Sequence, residues 1–559
     1  MSLQFITGNS GNGKTKYLFN RIVKEAKANP RDNYLVIVPE QFTMQTQRQL
    51  VDLSENKAIM NIDVLSFKRL AYRVFDELGI TNLTVLEETG KNLVLRKLAA
   101  QEADKLGVIG RNLNRIGYIS EVKSLLSELV QYNISPEELG RYIASGRLSD
   151  TLSDKLKDVL VLYEAFEKFM QDKYITAEEI LNVLSNVAEE SAILRNSVIA
   201  FDEFTGFTPI QNQLIKKLFV ISKKIYVTLT IDCREDIFKS RGMQELFDMP
   251  KRTVKSLTEM AAFYGIEVEE PIILDKNYRL AENEELSFME QQLFRKRRCS
   301  FKKAPKHIHI DCLRDPKQEL TKIARRINEL VRNENLRYRD IAIVTGDVNI
   351  YAGYVREIFD KYNIPYFIDA TQEILFHPFI EFIRSIPDIA AQNFSADAVF
   401  RFLRCGFSEL LGSEIDVLEN YVLACGVRGK SAWDKKWVRL PKHKAGYDLE
   451  LLNQSREYIM ELLKPVYQVF SDKKSTVKDY VLAIYKLIVL LDIPDKLAKK
   501  EQALLDAGDQ TASKEYGQIY KIVYKSKRKQ RHMGNDAGQP TVVRKNLHNK
   551  IDNQTAKHI

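Results

Sequence analysis

The hydrophobic positions of this chain follow two different periods. Short runs dominated by apolar residues predict buried strands of a parallel sheet, at 3–7, 35–38, 62–66, 198–201 and 225–231. Over 87–190 the apolar residues instead recur three and four positions apart, which predicts amphipathic helices. One α/β sheet domain interrupted by a helical insertion accounts for both periods.

A second α/β pattern begins near residue 307. Three short apolar stretches predict further strands, at 308–310, 341–344 and 366–368, with helical spacing at 319–331 and 351–362 between them. After residue 377 the spacing becomes helical again and stays so to about residue 503. The chain of 559 residues is too long for a single core, and several domains are expected.

Composition excludes some classes of protein and locates the charge. The sequence contains no stretch of about 18 apolar residues and no signal-peptide pattern, which predicts no association with a membrane. Five scattered cysteines without a C-x-x-C motif favour the reducing cytoplasm. The net charge of +9 comes mostly from residues 524–559, where nine Lys or Arg residues face two Asp or Glu residues. Overall charge is therefore weak evidence for nucleic-acid binding.

The strongest local motif is a phosphate-binding loop between the first strand and a helical stretch at 16–28. Its sequence G-N-S-G-N-G-K-T is formed by Gly8, Asn9, Ser10, Gly11, Asn12, Gly13, Lys14 and Thr15. The glycines let backbone N–H groups point at phosphate oxygens of ATP. Lys14 is predicted to reach the β- and γ-phosphates, and the Thr15 hydroxyl to bind Mg²⁺. The alternative is a Gly/Asn-rich turn that matches the pattern by chance.

A carboxylate pair follows a second buried strand and completes the predicted nucleotide site. The apolar run 198–201 ends in Asp202 and Glu203. Asp202 is the candidate ligand for Mg²⁺, and Glu203 is the candidate base that orients or deprotonates the attacking water. Lys14, Asp202 and Glu203 are therefore the predicted catalytic residues. Strands that end in acidic surface residues are common, and this remains the alternative.

These residues resemble the motifs of superfamily 1 helicases of the UvrD and RecB type. The segment D-E-F-T-G-F-T-P-I-Q at 202–211 is similar to motif II, 231–242 to motif III and L-D-K-N-Y-R at 274–279 to motif IV. The resemblance implies that Gln211 and Arg279 contact ATP. It also implies the fold class: an α/β P-loop NTPase with RecA-type domains and large α-helical insertions.

More narrowly, the chain resembles the AddB (RexB) family of bacterial AddAB helicase–nucleases. The resemblance covers about residues 1–523 and rests on S-L-Q-F-I-T-G-N-S-G-N-G-K-T, V-I-V-P-E-Q-F-T and L-S-F-K-R-L-A-Y-R-V-F. It implies one component of an ATP-dependent helicase and exodeoxyribonuclease that processes double-strand breaks for recombinational repair. The implied partners are an AddA-type protein in a heterodimer and single- and double-stranded DNA, including the Chi sequence.

The resemblance also implies domain boundaries. They are 1–90 with 191–280 for the first helicase-like motor domain, 91–190 for its helical insertion, 281–376 for the start of the second motor domain, 377–510 for a second helical insertion, and 524–559 for a basic tail. The family's nuclease domain and the ligands of its 4Fe–4S cluster have no match in this sequence. We therefore expect a chain that is truncated or frameshifted near Tyr524, although a natural disordered tail is the alternative.

Departures from the helicase motifs bear on hydrolysis. Thr205 and Gly206 stand where related motors have Gln and Asp, and Glu235 replaces a glutamine that senses the γ-phosphate. A carboxylate at that place is expected to repel phosphate, so that nucleotide binding survives while the coupling of hydrolysis to movement is lost.

Phe42 and Phe67 follow predicted strands and are candidates for stacking on DNA bases. Two other functions stay open: a non-enzymatic DNA-binding scaffold with a vestigial nucleotide site, and a P-loop enzyme that acts on a small molecule.

Overall fold

A computed structural model of the chain describes most of the sequence. The described residues are 1–80, 85–86, 88–108, 110, 116–146, 148–170, 174–295, 299–369, 374–441, 446–472 and 474–533, without the side chains of residues 89, 116 and 524–533. They divide into two compact units, Met1–Asp311 and Cys312–Ile559. In the parts of the chain that the structure describes, no helix is long and apolar enough to cross a membrane.

A parallel sheet forms the centre of the first unit. Its strands, with a small separate pair formed by β4 and β5, are β1 Ser2–Gly8, β2 Tyr34–Ile37, β3 Ile62–Leu65, β4 Val85–Leu86, β5 Ile175–Thr176, β6 Val198–Phe201, β7 Lys224–Thr230, β8 Glu267–Val268 and β9 Ile272–Leu274. The order in the main sheet is β3-β2-β6-β7-β1-β8, and β9 also pairs with β1. Every pairing is parallel. The predicted α/β class and the first five predicted strands are confirmed.

The central strands are buried on both faces because helices cover the sheet on each side. Along β6, Ile199 and Phe201 pack into one core, and Val198 and Ala200 pack into the other. This alternation follows the two-residue period of a strand. The unbroken apolar run 198–201 is therefore the expected sequence of a strand in the middle of a parallel sheet.

Eleven helices of the first unit are described. They are α1 Lys14–Ala28, α2 Thr43–Leu53, α3 Phe67–Leu78, α4 Glu88–Gln101, α5 Ile116–Gln131, α6 Pro136–Ala144, α7 Asp150–Met170, α8 Ile180–Val187, α9 Pro209–Ile221, α10 Asp248–Phe263 and α11 Glu284–Gln292. Helices α4 to α8 lie between β3 and β6 in the chain, where the helical insertion is predicted. Their interior contains a buried ion pair of Lys91 with Glu178 at 2.6 Å.

The second unit has helices but no strand among its described residues. Its helices are α12 Pro316–Asn333, α13 Val348–Lys361, α14 Pro378–Ala391, α15 Ala396–Leu403, α16 Gly412–Cys425, α17 Lys430–Asp434, α18 Leu449–Ser471, α19 Val477–Leu490, α20 Ile493–Asp506 and α21 Gln510–Met533. A large apolar core joins α14 to α21 and includes Trp433 and Trp437. Of the predicted basic tail, 524–533 belongs to α21 and 534–559 lies outside the described residues.

The predicted strands of a second α/β unit are wrong. Residues 299–369 are all described, and they contain no strand at 308–310, 341–344 or 366–368. Helices α12 and α13 do form as predicted, and they pack on each other through a small core around Leu320 and Phe359. None of the three apolar stretches belongs to a strand, since none of them forms a ladder with another described segment. Their side chains are correspondingly open to solvent, with Val344 93% exposed.

Candidate nucleotide-binding site

The phosphate loop connects β1 to α1 at the carboxyl edge of the sheet. Gly11 and Gly13 have φ angles of +87° and +80°, which glycine adopts at little cost. A Cβ atom on Gly11 would also lie 2.8 Å from the Asn277 side-chain oxygen. Gly13 is therefore favoured by the turn, and Gly11 both by the turn and by the segment that lies against it. Helix α1 begins at Lys14, so its free N–H groups point into the loop.

The Lys14 ammonium lies inside the loop and donates to its backbone. Its Nζ atom is 3.0 Å from the carbonyl oxygen of Gly8 and 3.0 Å from that of Asn9. Burial lowers the pKa of Lys14, against the opposing charges of Glu203 and Asp202. An ammonium that is held by two neutral carbonyls can exchange them for the charged oxygens of a phosphate, which are stronger acceptors.

The structure brings the predicted carboxylates to the loop. The Thr15 hydroxyl lies 3.4 Å from Oδ1 of Asp202 and 3.3 Å from Oε1 of Glu203. These residues are far apart in the chain, and they meet because β1 and β6 both end at the same edge, on either side of β7. Thr228 of β7 also donates to Oδ1 of Asp202.

Asp202 has the features of a metal ligand. Its side chain is 1% exposed, and Oδ2 has no hydrogen-bond partner among the described residues. Burial raises the pKa of the Asp202 carboxyl, against the hydrogen bond from Thr228. A buried oxygen without a partner is costly, and a cation would remove that cost. A carboxylate beside a threonine hydroxyl is an oxygen donor set that suits Mg²⁺, so the residues fit this ion.

Glu203 has an unusual backbone conformation. Its φ angle is +63°, in the left-handed region that non-glycine residues rarely occupy. Such strain, on the order of 1 kcal/mol, persists where the surrounding structure imposes it, and it is common at functional sites. Here Glu203 lines the same cleft as Lys14 and Thr15.

A segment after β9 covers the loop. The backbone N–H of Tyr278 donates to the Gly11 carbonyl at 3.0 Å, and the Asn277 side chain donates to the Ser10 carbonyl at 3.0 Å. Tyr278 and Arg279 line the cleft together with the loop. Arg279 is predicted from the motif L-D-K-N-Y-R, whereas Tyr278, its neighbour in the same motif, is not.

The cleft has a volume of about 680 Å³. The predicted residues that line it are Ser10, Gly11, Gly13, Lys14, Thr15, Asp202, Glu203 and Arg279. Three residues of α2, Gln49, Asp52 and Leu53, also line it and had no signal in the sequence. Asn9 and Asn12 are buried beneath the loop. Asn12 donates to the Leu274 carbonyl at 2.6 Å, whereas the contacts of Asn9 involve other segments.

Gln211, a predicted ATP contact, and Glu235, which is predicted to repel phosphate, both have partners outside the cleft. Gln211 is absent from the described residues that line the cleft, and its side chain accepts from the Thr208 N–H at 2.9 Å in a capping box at the start of α9. Glu235 forms an ion pair with buried Lys251 at 2.7 Å. The Glu235 carboxylate is thus paired within the protein, and its repulsion of phosphate stays a prediction.

The two candidate DNA-stacking rings differ from the surface aromatics that stacking requires. Phe67 is buried, and its ring packs against Phe201 and Phe204 with centroid separations of 5.7 and 5.6 Å. Phe42 is partly buried against the core on the opposite face of the sheet. Phe67 therefore has the surroundings of a core residue, which its position at the start of an amphipathic helix explains.

The comparisons with known proteins agree with these motifs. The family model described as "ADDB, N-terminal" matches residues 5–290. A protein of Lachnoclostridium phytofermentans, named as the B subunit of an ATP-dependent helicase/deoxyribonuclease, is 38% identical over 533 residues, which are 94% of this chain and 46% of the relative. Proteins of the same name from Clostridium acetobutylicum and Clostridioides difficile are each 32% identical, also over 94% of this chain and 46% of the relative.

The chain spans about half the length of the curated relatives that it matches. The family match itself covers the sheet from residue 5 of β1 onward and the cleft described above, and it ends within α11. Because it also covers more than half of the 559 residues, this chain belongs to the AddB N-terminal family.

Proposed function

We propose that this chain binds ATP–Mg²⁺ in the cleft at the end of β1. The observation that carries the proposal is the meeting of Thr15 and Asp202 beside Lys14, with an unpartnered buried oxygen on Asp202. A chance Gly/Asn-rich turn would not be expected to place a hydroxyl, a carboxylate and an ammonium around one cleft.

Each residue has a distinct task in this proposal. The loop N–H groups and Lys14 hold the phosphates, and Thr15 and Asp202 hold Mg²⁺, which when bound neutralises charge on the phosphate oxygens. Glu203 is placed to orient a water molecule or accept its proton. Arg279, which lines the cleft from the covering segment, adds positive charge near the terminal phosphate.

The wider role follows from the family. The relatives are named as the B subunit of an ATP-dependent helicase/deoxyribonuclease. We infer that this chain contributes the nucleotide-binding part of such a protein, in complex with an AddA-type partner. In this role the complex acts on single- and double-stranded DNA at broken ends in the cytoplasm.

A scaffold that binds ATP without hydrolysing it is the second candidate. It is supported by the placement of Gln211 in a helix cap and of Glu235 in an ion pair, which leaves both away from the phosphates. Binding and turnover are therefore measured separately.

The test compares Lys14→Ala with Lys24→Ala, an exposed lysine of the same helix. Lys14→Ala removes a charged phosphate contact, and we expect about 10- to 100-fold weaker binding of ATP–Mg²⁺. Lys24→Ala should bind as the unchanged chain does. Binding is measured with a fluorescent ATP analogue, and turnover by phosphate release with and without single-stranded DNA.

Each outcome decides between the candidates. If the unchanged chain binds no ATP, the nucleotide site is refuted. Tight binding without phosphate release favours the scaffold. Phosphate release that is stimulated by DNA and lost in Asp202→Asn favours the motor-like function, because Asp202 is the proposed Mg²⁺ ligand.

A further inference from the structure

Asn9, the second residue of the phosphate loop, turns its side chain away from the cleft. It is 4% exposed and makes specific contacts in the interior. Its Oδ1 atom accepts from the Cys233 backbone N–H at 2.9 Å. Its Nδ2 atom donates to the Glu290 carboxylate, at 3.0 Å from Oε1 and 3.3 Å from Oε2. One amide therefore connects the loop to two other segments, the turn after β7 and helix α11.

Those two segments are also connected to each other. Arg295, just after α11, donates to Oδ2 of Asp232 at 2.8 Å and lies 3.8 Å from Oε1 of Glu290. Asp232 is the residue before Cys233, so the contacts close into a ring. We call the side chains of Asn9, Glu290, Arg295 and Asp232, with the Cys233 N–H, the Asn9 network.

The charges of the Asn9 network are matched. Asp232 also accepts from the guanidinium of Arg234 at 2.8 and 2.6 Å. Burial alone would raise the pKa of the Asp232 carboxyl. Hydrogen bonds from Arg234 and Arg295 outweigh burial and hold this pKa below its usual range. Two carboxylates thus face two guanidinium groups, and the neutral amide of Asn9 is the connection to the phosphate loop.

Polar contacts attach α11 to the rest of the unit. All residues of α11 are described, and none of its side chains is buried. The helix is held by the Asn9–Glu290 hydrogen bonds, by Arg295 on Asp232, and by Arg234, which donates to the Gln291 carbonyl at 2.8 Å. The apolar side chains of α11 are at most partly buried, as in the contact of the Phe288 ring with Phe301 at 5.3 Å, so these polar contacts carry much of its attachment.

We propose that Asn9 is a positioning residue that holds the phosphate loop ready for nucleotide and attaches α11 to it. The proposal rests on the proposed function, and it adds a residue that acts from behind the loop. Lys14 donates to the Asn9 carbonyl in this structure, and that contact is given up when the ammonium moves to phosphate. The side-chain contacts of Asn9 then keep the loop in place. Nucleotide binding therefore does not have to offset the entropy cost of ordering the loop.

The test first removes the hydrogen bond between Asn9 and Glu290 and then restores it with donor and acceptor exchanged. Asn9→Asp keeps the acceptor for Cys233 but places a second carboxylate against Glu290. We expect about 10-fold weaker ATP–Mg²⁺ binding, which corresponds to a coupling energy typical of contacting residues. Glu290→Gln alone should change binding by less than about 3-fold, because the new amide still offers an oxygen to Asn9.

In the double variant Asn9→Asp with Glu290→Gln, the new amide at residue 290 donates and the new carboxylate at residue 9 accepts. We expect its affinity to return to within about 3-fold of the Glu290→Gln variant. Asn12→Asp is the matched control, since Asn12 contacts the Leu274 carbonyl instead, and Glu290→Gln should not rescue it. Rescue by the exchange is a result that a general loss of stability would not produce, and thermal unfolding of each variant checks the fold.

Hydrogen exchange of α11 gives a second measurement that needs no nucleotide. Asn9→Asp should increase exchange across residues 284–292, and the double variant should reverse the increase. Unchanged exchange in Asn9→Asp would overturn the proposal whether or not ATP binds. Equal ATP affinity of Asn9→Asp and the unchanged chain, or a double variant as weak as Asn9→Asp, would also overturn it. If the unchanged chain does not bind ATP, the nucleotide site itself is refuted. The hydrogen-exchange result still tests whether Asn9 attaches α11 to the loop.

Discussion

Two regions of this protein have the same sequence pattern but different structures. In the first unit the apolar run 198–201 becomes β6, with β2 on one side and β7 on the other. At residues 341–344 the equally apolar run I-A-I-V forms no strand and has no ladder partner among the described residues. An apolar run therefore indicates that a segment is suited to a sheet, whereas the strand itself requires a neighbour that supplies hydrogen bonds.

The helices of the two regions do not show this difference. Helix α1 of the first unit and α12 of the second both form, and both bury an apolar face. A helix satisfies its backbone groups within its own segment, so it depends less on distant parts of the chain. The second region thus keeps its helices without a described sheet for them to cover.

The sharpest test of this comparison is amide hydrogen exchange. Amides of 198–201 open only with the whole unit, and we expect them to exchange roughly 10,000-fold more slowly than unprotected amides. Amides of 341–344 should exchange with little protection. Exchange measured by mass spectrometry on peptides from both segments checks this. Equal protection would mean that 341–344 forms a ladder in solution.

A pH titration tests whether the second unit has a stable core of its own. His377 is buried at the start of α14, and burial lowers its pKa from 6.5 to about 4. The unfolded chain binds the proton more readily, so this group's contribution to stability is full above about pH 6.5 and is lost as the pH falls toward 4. The loss amounts to about 3 kcal/mol from this residue.

The control for the titration is His377→Asn, which keeps an acceptor for the Phe379 N–H at the helix start. Denaturant unfolding of the second unit between pH 7 and 4.5 should show a shallower pH dependence in this variant. If stability depended on pH equally in both proteins, His377 would not be the source of the pH dependence. Loss of the contact between the His377 ring and Tyr516 lowers stability at every pH and does not affect the slope.

The smallest expected effects come from one substitution made in both regions. Val36→Ala in β2 removes two methyl groups from a fully buried position, and we expect it to lower the free energy of unfolding by about 2 kcal/mol. Val344→Ala makes the same chemical change at an exposed position and should cost less than about 0.5 kcal/mol. Denaturant unfolding of both variants checks the pair. A cost above about 1 kcal/mol at Val344 would show that this side chain is buried in solution.

Much of the candidate site could be predicted from the sequence because its residues lie in short local motifs. The loop at 8–15 carries its own turn, its lysine and its hydroxyl, and D-E after a buried strand identifies the second half. Gln211 and Glu235 show the limit of this reasoning. Each has a suitable position in its motif, but its side chain meets a nearer partner, the helix start in one case and Lys251 in the other.

The sequence by itself determined the helices, the strands of the first sheet and the phosphate loop, because their periodicity and turn chemistry are local. Tertiary structure decided which strands pair, and this brings Thr15 to Asp202 and leaves 341–344 without a partner. It also decided the role of Asn9, whose partners Cys233 and Glu290 lie more than 200 residues along the chain. Contacts between distant segments depend on how the elements pack together, and no local pattern records them.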